Sequence, residues 1–303
     1  MSDLSVDLIG VKFSNPILTA SGTFGYGYEV EDLIQLEQLG GIVTKTITSS
    51  PSHGNKQPRI SESKFGIINS IGLQNVGIQV FIKQILHKLL KFNVPLIVSI
   101  AGSSVEEYIF LAKILNKQEG ISAIELNLSC PNLHNEIICN DICMMKKIIY
   151  NVKTISNIPV IAKLSPLISN ITKIALIAQN SGADCLTIAN TYPAMTIDVK
   201  NLKNKISILK GGLSGPCIKP ITLRCVYEVY RHNNIKIPII GCGGIMNGTD
   251  VIEFILAGAT AVSIGSASLI TPLNLIKIIN ETKNILIKNK IHSIKQLIGK
   301  ISY

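Results

Sequence analysis

Eight short apolar runs, rich in β-branched side chains, recur along this 303-residue chain: residues 16–20, 41–47, 95–101, 123–128, 159–164, 184–189, 237–241 and 261–265. Nearly every position in each run is apolar, as in strands buried on both faces rather than half-exposed ones. Longer segments with helical periodicity separate them, at residues 29–39, 76–91, 105–116, 143–155, 171–181, 218–232 and 250–257, with a last one at 273–290. Strand–helix alternation of this kind builds parallel βαβ units. Eight such units predict an α/β fold, a closed (β/α)8 TIM barrel. An open doubly wound sheet is the alternative, but no strand is followed by the G-x-G-x-x-G dinucleotide fingerprint. The opening LSVDLIGVKF predicts a β-hairpin plugging the lower mouth. No linker, internal repeat or composition break divides the chain, so one domain over 1–303 is expected.

Composition narrows the function classes. With 47% hydrophobic and 16% charged residues the chain is not disordered. The net charge of +10 invites a polyanion partner. Yet the lysines are scattered, only Arg59, Arg224 and Arg231 are arginines, and tryptophan is absent. No basic run is interleaved with aromatics as a stacking groove requires. Abundant Lys, Ile and Asn is what an A/T-rich coding sequence produces whatever the function. The amino terminus carries Asp3 and Asp7 and lacks the basic and apolar regions of a signal peptide. There is no run of about 20 apolar residues to span a membrane. Seven cysteines without framework spacing suit a reducing compartment, so a cytoplasmic protein is expected.

In such barrels the active site forms where the strands end. The ends carry Ser21 and Gly22 after the first strand, Lys45 and Thr46 in the second, Ser99 in the third, and Asn127 with Cys130 after the fourth. Lys163 lies in the fifth, Asn190 and Thr191 follow the sixth, Gly243 and Gly244 the seventh, and Gly265 and Ser266 the eighth. A glycine after a strand is usually only a turn residue. Two glycine turns in the last two loops, however, fit the phosphate site of these barrels, where bare backbone N–H groups wrap an anion. Lys45 and Lys163 sit within apolar strands, where a lysine is costly to bury unless its charge is matched. An exposed edge strand would excuse them, but a barrel has no edges. An anionic ligand, or a flavin ring that develops negative charge, would supply the match.

The segment ELNLSCPN, residues 125–132, is the most reactive stretch. Cys130 leaves a buried strand among Asn127, Ser129 and Pro131. A lone cysteine is usually a small hydrophobe; this one is placed to act as a base if neighbouring groups favour its thiolate. A Cys–His nucleophile needs a histidine beside the thiol. His53, His87, His134, His232 and His292 lie in loops or on helix surfaces, and only His134 is near in sequence. Cys139 and Cys143 lack the second pair that would complete a metal site, so no metal is expected.

At this point the chain resembles the class 1 dihydroorotate dehydrogenases of pyrimidine synthesis over nearly its whole length. The resemblance rests on NPILTASGTFGYG (15–27), KTITSSPSHGNKQPR (45–59), NSIGLQN (69–75), NLSCPN (127–132), GGLSGPCIKP (211–220) and IPIIGCGGI (237–245). The NSIGLQN and GGLSGPCIKP forms look most like the class 1B catalytic subunit, whose electrons pass to NAD; the fumarate-using class 1A is the near alternative. Class 2 enzymes use a serine base and an N-terminal extension, and this chain has Cys130 and no extension.

The resemblance implies FMN as cofactor and (S)-dihydroorotate as substrate. Cys130 would take the C5 proton while C6 delivers hydride to the flavin. Lys45, Asn69, Ser70, Ile71, Gly72, Leu73, Asn127, Asn190 and Thr191 would hold the pyrimidine and its carboxylate. Ser21, Lys45, Thr46, Ser99, Asn127, Lys163 and Ala189 would contact the flavin, with Gly215, Gly243, Gly244, Gly265 and Ser266 around its phosphate. It further implies a partner polypeptide carrying FAD and a 2Fe–2S cluster, in a heterotetramer with two copies of each chain. No closely spaced cysteine quartet on this chain could hold that cluster.

Two features depart from the family: Ser99 replaces a frequent asparagine, and the loop LHNEIICNDICMM has lost its glycines. That loop is expected to cover the substrate, and lids need a hinge. A tRNA dihydrouridine synthase is a further alternative on the same barrel, though this chain has no RNA-binding extension. A non-catalytic FMN-binding barrel is another, opposed by the retained Cys130, Lys45 and Asn127.

Overall fold

In the computed structural model, which describes residues 2–129, 138–167 and 170–302, the eight apolar runs form eight parallel strands. They are β1 (Ile17–Thr19), β2 (Ile42–Val43), β3 (Leu96–Ile100), β4 (Ala123–Asn127), β5 (Val160–Leu164), β6 (Cys185–Ile188), β7 (Ile239–Cys242) and β8 (Ala261–Ile264). Hydrogen bonds join them in the order β1-β8-β7-β6-β5-β4-β3-β2. A parallel bridge between Leu18 and Gly41 links β1 back to β2 and closes the barrel. Every residue of β3, β4, β5 and β6 is buried, because strands wrapped by helices have no solvent face. One contiguous apolar cluster runs from Leu4 to Ile294.

β2 is short for a reason that matters to the site. Thr44 N donates to Ile97 O and Ile47 N to Ser99 O, so the strand tracks β3 on either side of a break. At the break Lys45 N turns away to Gly25 O at 2.9 Å. The kink lifts Lys45 out of the ladder.

The outer helices follow the predicted segments within a few residues: Val105–Leu115, Ile142–Ile155, Ile171–Asn180, Lys219–Arg231, Gly248–Leu256 and Leu273–Lys288. Ser104, Asp141, Asn170 and Asn247 cap four of them, each side chain accepting from a first-turn N–H. The segment 76–91 is helical with a π turn at Phe81–Leu86. The expected helix at 29–39 does not form. Two 3-10 turns, Tyr28–Val30 and Leu36–Gln38, stand there instead. The Glu29 carboxylate folds back to accept from Tyr26 N and Gly27 N.

The opening hairpin pairs Val6–Leu8 with Val11–Phe13. Val6, Leu8 and Phe13 are buried, and Phe13 packs beside Gly41 at the N-terminal end of β2, which places the hairpin at the lower mouth. At the other end, the chain leaving β2 and β6 builds an unforeseen antiparallel sheet. Its strands are ordered Tyr192–Ala194, Gly211–Ser214, Gly66–Asn69 and Ile60–Ser63.

Candidate active site

Between that antiparallel sheet and the strand ends lies a cleft of about 250 Å³, near the small end of small-molecule sites. Its floor is the barrel interior. Asn127, at the end of β4, is the hub: its Nδ2 donates to Thr46 Oγ1 at 3.3 Å, and its Oδ1 accepts from Asn190 Nδ2 at 3.2 Å. Tyr108, from the outer helix, fixes the Asn127 backbone by donating to its carbonyl at 2.8 Å. Asn190 Oδ1 in turn accepts from Thr191 N. Three strand ends are thereby tied into one polar line.

The two lysines meet in this cleft but differ in setting. Lys163, 4% exposed, donates to Ser21 Oγ at 3.1 Å and lies 3.8 Å from Glu125 Oε1. Burial works against its charge, yet the Glu125 carboxylate beside it holds the amine above the usual lysine range. Part of the expected match for Lys163 is therefore internal, a carboxylate that strand periodicity hid among apolar neighbours. Lys45 makes no such close ion pair among the described residues. Burial pulls its amine below the usual range; Glu29 opposes this and Arg59 adds to it. A half-buried cation without a close ion-pair partner favours an anionic ligand.

On the far wall the β7 and β8 loops contribute Gly243, Gly244, Gly265 and Ser266. Gly244 packs so closely on the helix start at Lys219 that a Cβ would come within 2.7 Å of Lys219 N. Gly22, with φ +92, has nothing within 4 Å of the position a Cβ would take. Gly22 thus leaves open space beside its backbone, while Gly244 is fixed against the helix start.

Other predicted residues fall as follows. Ala189 lines the floor, and Asn69, Ile71 and Leu73 line the upper wall. Asn69 is held by donating to Gly212 O at 3.1 Å. Ser70 and Gly72 support that wall without lining it: the Ser70 hydroxyl accepts from Asn55 Nδ2, and Gly72 closes on Asn55. Ser99 sits behind Thr46, sharing a hydrogen bond at 3.0 Å, and Gly215 adjoins the lining Ser214. Cys130 lies outside the described residues. Gly22, Thr23, Ile60, Ile67, Gln74, Ser214, Ile218, Cys242 and Leu269 also line the cleft, and Ile60, Ile67 and Ser214 come from the upper sheet that sequence periodicity missed.

The family model described as dihydroorotate dehydrogenase matches residues 3–286. The chain belongs to the dihydroorotate dehydrogenase family. It is 59% identical over 300 residues to the dihydroorotate dehydrogenase B (NAD(+)) catalytic subunit of Endomicrobium trichonymphae, covering 99% of this chain and 97% of that one. It is 44% identical over 301 residues to the same-named subunit of Thermodesulfovibrio yellowstonii, covering 99% of both. The crystal structure of a DHODH from Eimeria tenella, in complex with ferulenol, superposes with a TM-score of 0.82 at 24% identity. It spans 98% of this chain and 88% of that one, and supports the barrel fold. Dihydroorotate dehydrogenases are flavin-dependent, and the cleft fits FMN. It offers a buried cation in Lys163, a polar line through Thr46 and Asn127, open space beside Gly22, and glycine turns at Gly243–Gly244 on the lining.

Proposed function

We propose that this chain is the catalytic subunit of an NAD-linked dihydroorotate dehydrogenase, oxidising (S)-dihydroorotate to orotate in pyrimidine synthesis. The observation that carries this reading is the meeting of Lys45, Lys163 and Asn127 in one cleft at the strand ends. FMN, when bound there, supplies the hydride acceptor.

This chain's residues do the rest. Lys45 binds the substrate carboxylate, and that anion offsets the burial which weakens its charge. Asn127, braced by Thr46 and Asn190, orients the pyrimidine amides, with Asn69 and Thr191 closing on it from above. Ser70 and Gly72 hold the 69–73 segment in place, so that Ile71 and Leu73 present to the ring. Lys163 with Ser21, and Thr46 with Ser99 behind it, seat the flavin ring, and Ala189 shapes the floor. The turns at Gly215, Gly243–Gly244 and Gly265–Ser266 receive its phosphate on backbone N–H groups. Cys130 accepts the C5 proton, becoming a thiol as the ring gains its double bond.

A second polypeptide carrying FAD and a 2Fe–2S cluster would supply the route from flavin to NAD, in a cytoplasmic heterotetramer of two catalytic and two electron-transfer subunits. The relatives, named as catalytic subunits, support such a partner. Among the described residues no helix is long and apolar enough to cross a membrane. Steady-state turnover tests the proposal. Dihydroorotate oxidation with NAD by the two-subunit complex supports it. Turnover with fumarate by this chain alone, or binding of tRNA without dihydroorotate oxidation, contradicts it.

A further inference from the structure

Beneath the cleft floor, one side chain has no part in the scheme above. Glu125 lies on β4 two residues before Asn127, so the strand's period of two turns both side chains inward, with Glu125 one layer deeper. It is 1% exposed. Its Oε2 accepts from Thr187 Oγ1 of β6 at 3.1 Å, while Oε1 has no hydrogen-bond partner among the described residues and lies 3.8 Å from Lys163 Nζ. A carboxylate in a dry barrel is poor value for stability, since apolar side chains of similar volume usually serve as well or better. Its placement has a different effect.

Lys163 is held between Ser21 on the cleft side and Glu125 below. The other titratable groups facing the pair are Cys242 on β7 and Cys185 on β6; burial pushes both thiols up, so neither is a ready source of negative charge. Glu125 is then the counter-ion that allows a buried lysine to stay cationic at the cleft floor. We propose that Glu125 is a positioning residue that fixes the place and the charge of Lys163 beneath the flavin, and so sets the flavin's reduction equilibrium without touching it. This rests on the reading that FMN occupies the cleft.

The test uses the purified full chain loaded with FMN, in wild type, Glu125→Gln, Glu125→Asp and Lys163→Met. Redox titration reads the flavin equilibrium, fluorescence reads FMN affinity of the apo-protein against pH, and thermal melting reports folding. A wild type that retains no FMN would sink the underlying reading instead. Otherwise Glu125→Gln should shift the two-electron equilibrium at least tenfold toward oxidised flavin, about 30 mV more negative, approaching Lys163→Met. Its FMN affinity should also fall at mildly alkaline pH, where the wild type stays level. Glu125→Asp should recover most of both. A Glu125→Gln protein with wild-type equilibrium, or one shifted the opposite way, overturns the proposal, as does a Lys163→Met that leaves the equilibrium unmoved. A purely structural role would lower the melting temperature alone. Should Glu125→Gln fail to fold, Thr187→Val, which removes only the orienting hydroxyl, must shift the equilibrium in the same direction, and no shift overturns the proposal.

Discussion

Two glycines with matched backbones and different surroundings isolate what the cleft is for. Gly22 has φ +92 and lines the cleft; Gly10 has φ +77 and sits in the turn of the opening hairpin at the opposite mouth. At both, an added Cβ meets nothing within 4 Å. Replacing either by alanine therefore costs the folded apo-protein only the left-handed backbone penalty, about 1–2 kcal/mol. For a domain of this size that lowers Tm by roughly 1.5–3 °C. The equality ends when flavin is present. The open space beside Gly22 is space the account gives to FMN, and a methyl group there overpacks a filled site by about 1–3 kcal/mol. Gly22→Ala should then bind FMN roughly 5- to 150-fold more weakly than wild type, and Gly10→Ala should bind it unchanged. Fluorescence titration of the two apo-proteins measures this, with melting curves confirming equal folding. If Gly22→Ala binds FMN as tightly as Gly10→Ala, the cofactor is not where the cleft places it.

Three more outcomes follow from the site. Because Lys45 is held below the usual lysine range and must be charged to hold a carboxylate, orotate affinity should fall as pH rises through that lowered value, and be full below it. Lys45→Met should weaken orotate about 10- to 150-fold and flatten the profile, as read from flavin absorbance during orotate titration. Cys130→Ala should keep FMN but slow reductive bleaching by roughly 10²–10⁴-fold in stopped flow; undiminished reduction removes Cys130 from the mechanism. Tyr108→Phe removes the buried donor to the Asn127 carbonyl and should cost about 1–3 kcal/mol in urea unfolding; a smaller loss would mean that water or another donor replaces it.

The barrel was legible because strands buried on both faces leave continuous apolar runs, and the residues that end them are the cleft floor. Lys163 stood out by its cost in such a run. Its partner Glu125, in an equally apolar run, is paired by a fold-level contact that no spacing along the chain encodes. The upper sheet was hidden for the opposite reason. Ile60–Ser63 and Gly211–Ser214 are short, polar or glycine-rich, and hold their shape through cross-strand pairing from distant loops. Helical periodicity at 29–39 misled, since the segment forms only two separate 3-10 turns, Tyr28–Val30 and Leu36–Gln38. Ser70, Gly72, Ser99 and Gly215, named through the family resemblance, sit one layer behind the cleft surface, a distinction that motif matching does not draw.

The central claim is that this cleft brings dihydroorotate to a bound flavin, and the half-reaction tests it without any partner. Dihydroorotate is added anaerobically to the FMN-loaded chain while the oxidised flavin band is followed. The account predicts bleaching, with orotate formed in step with the flavin reduced. Fully loaded protein whose flavin stays oxidised would contradict it.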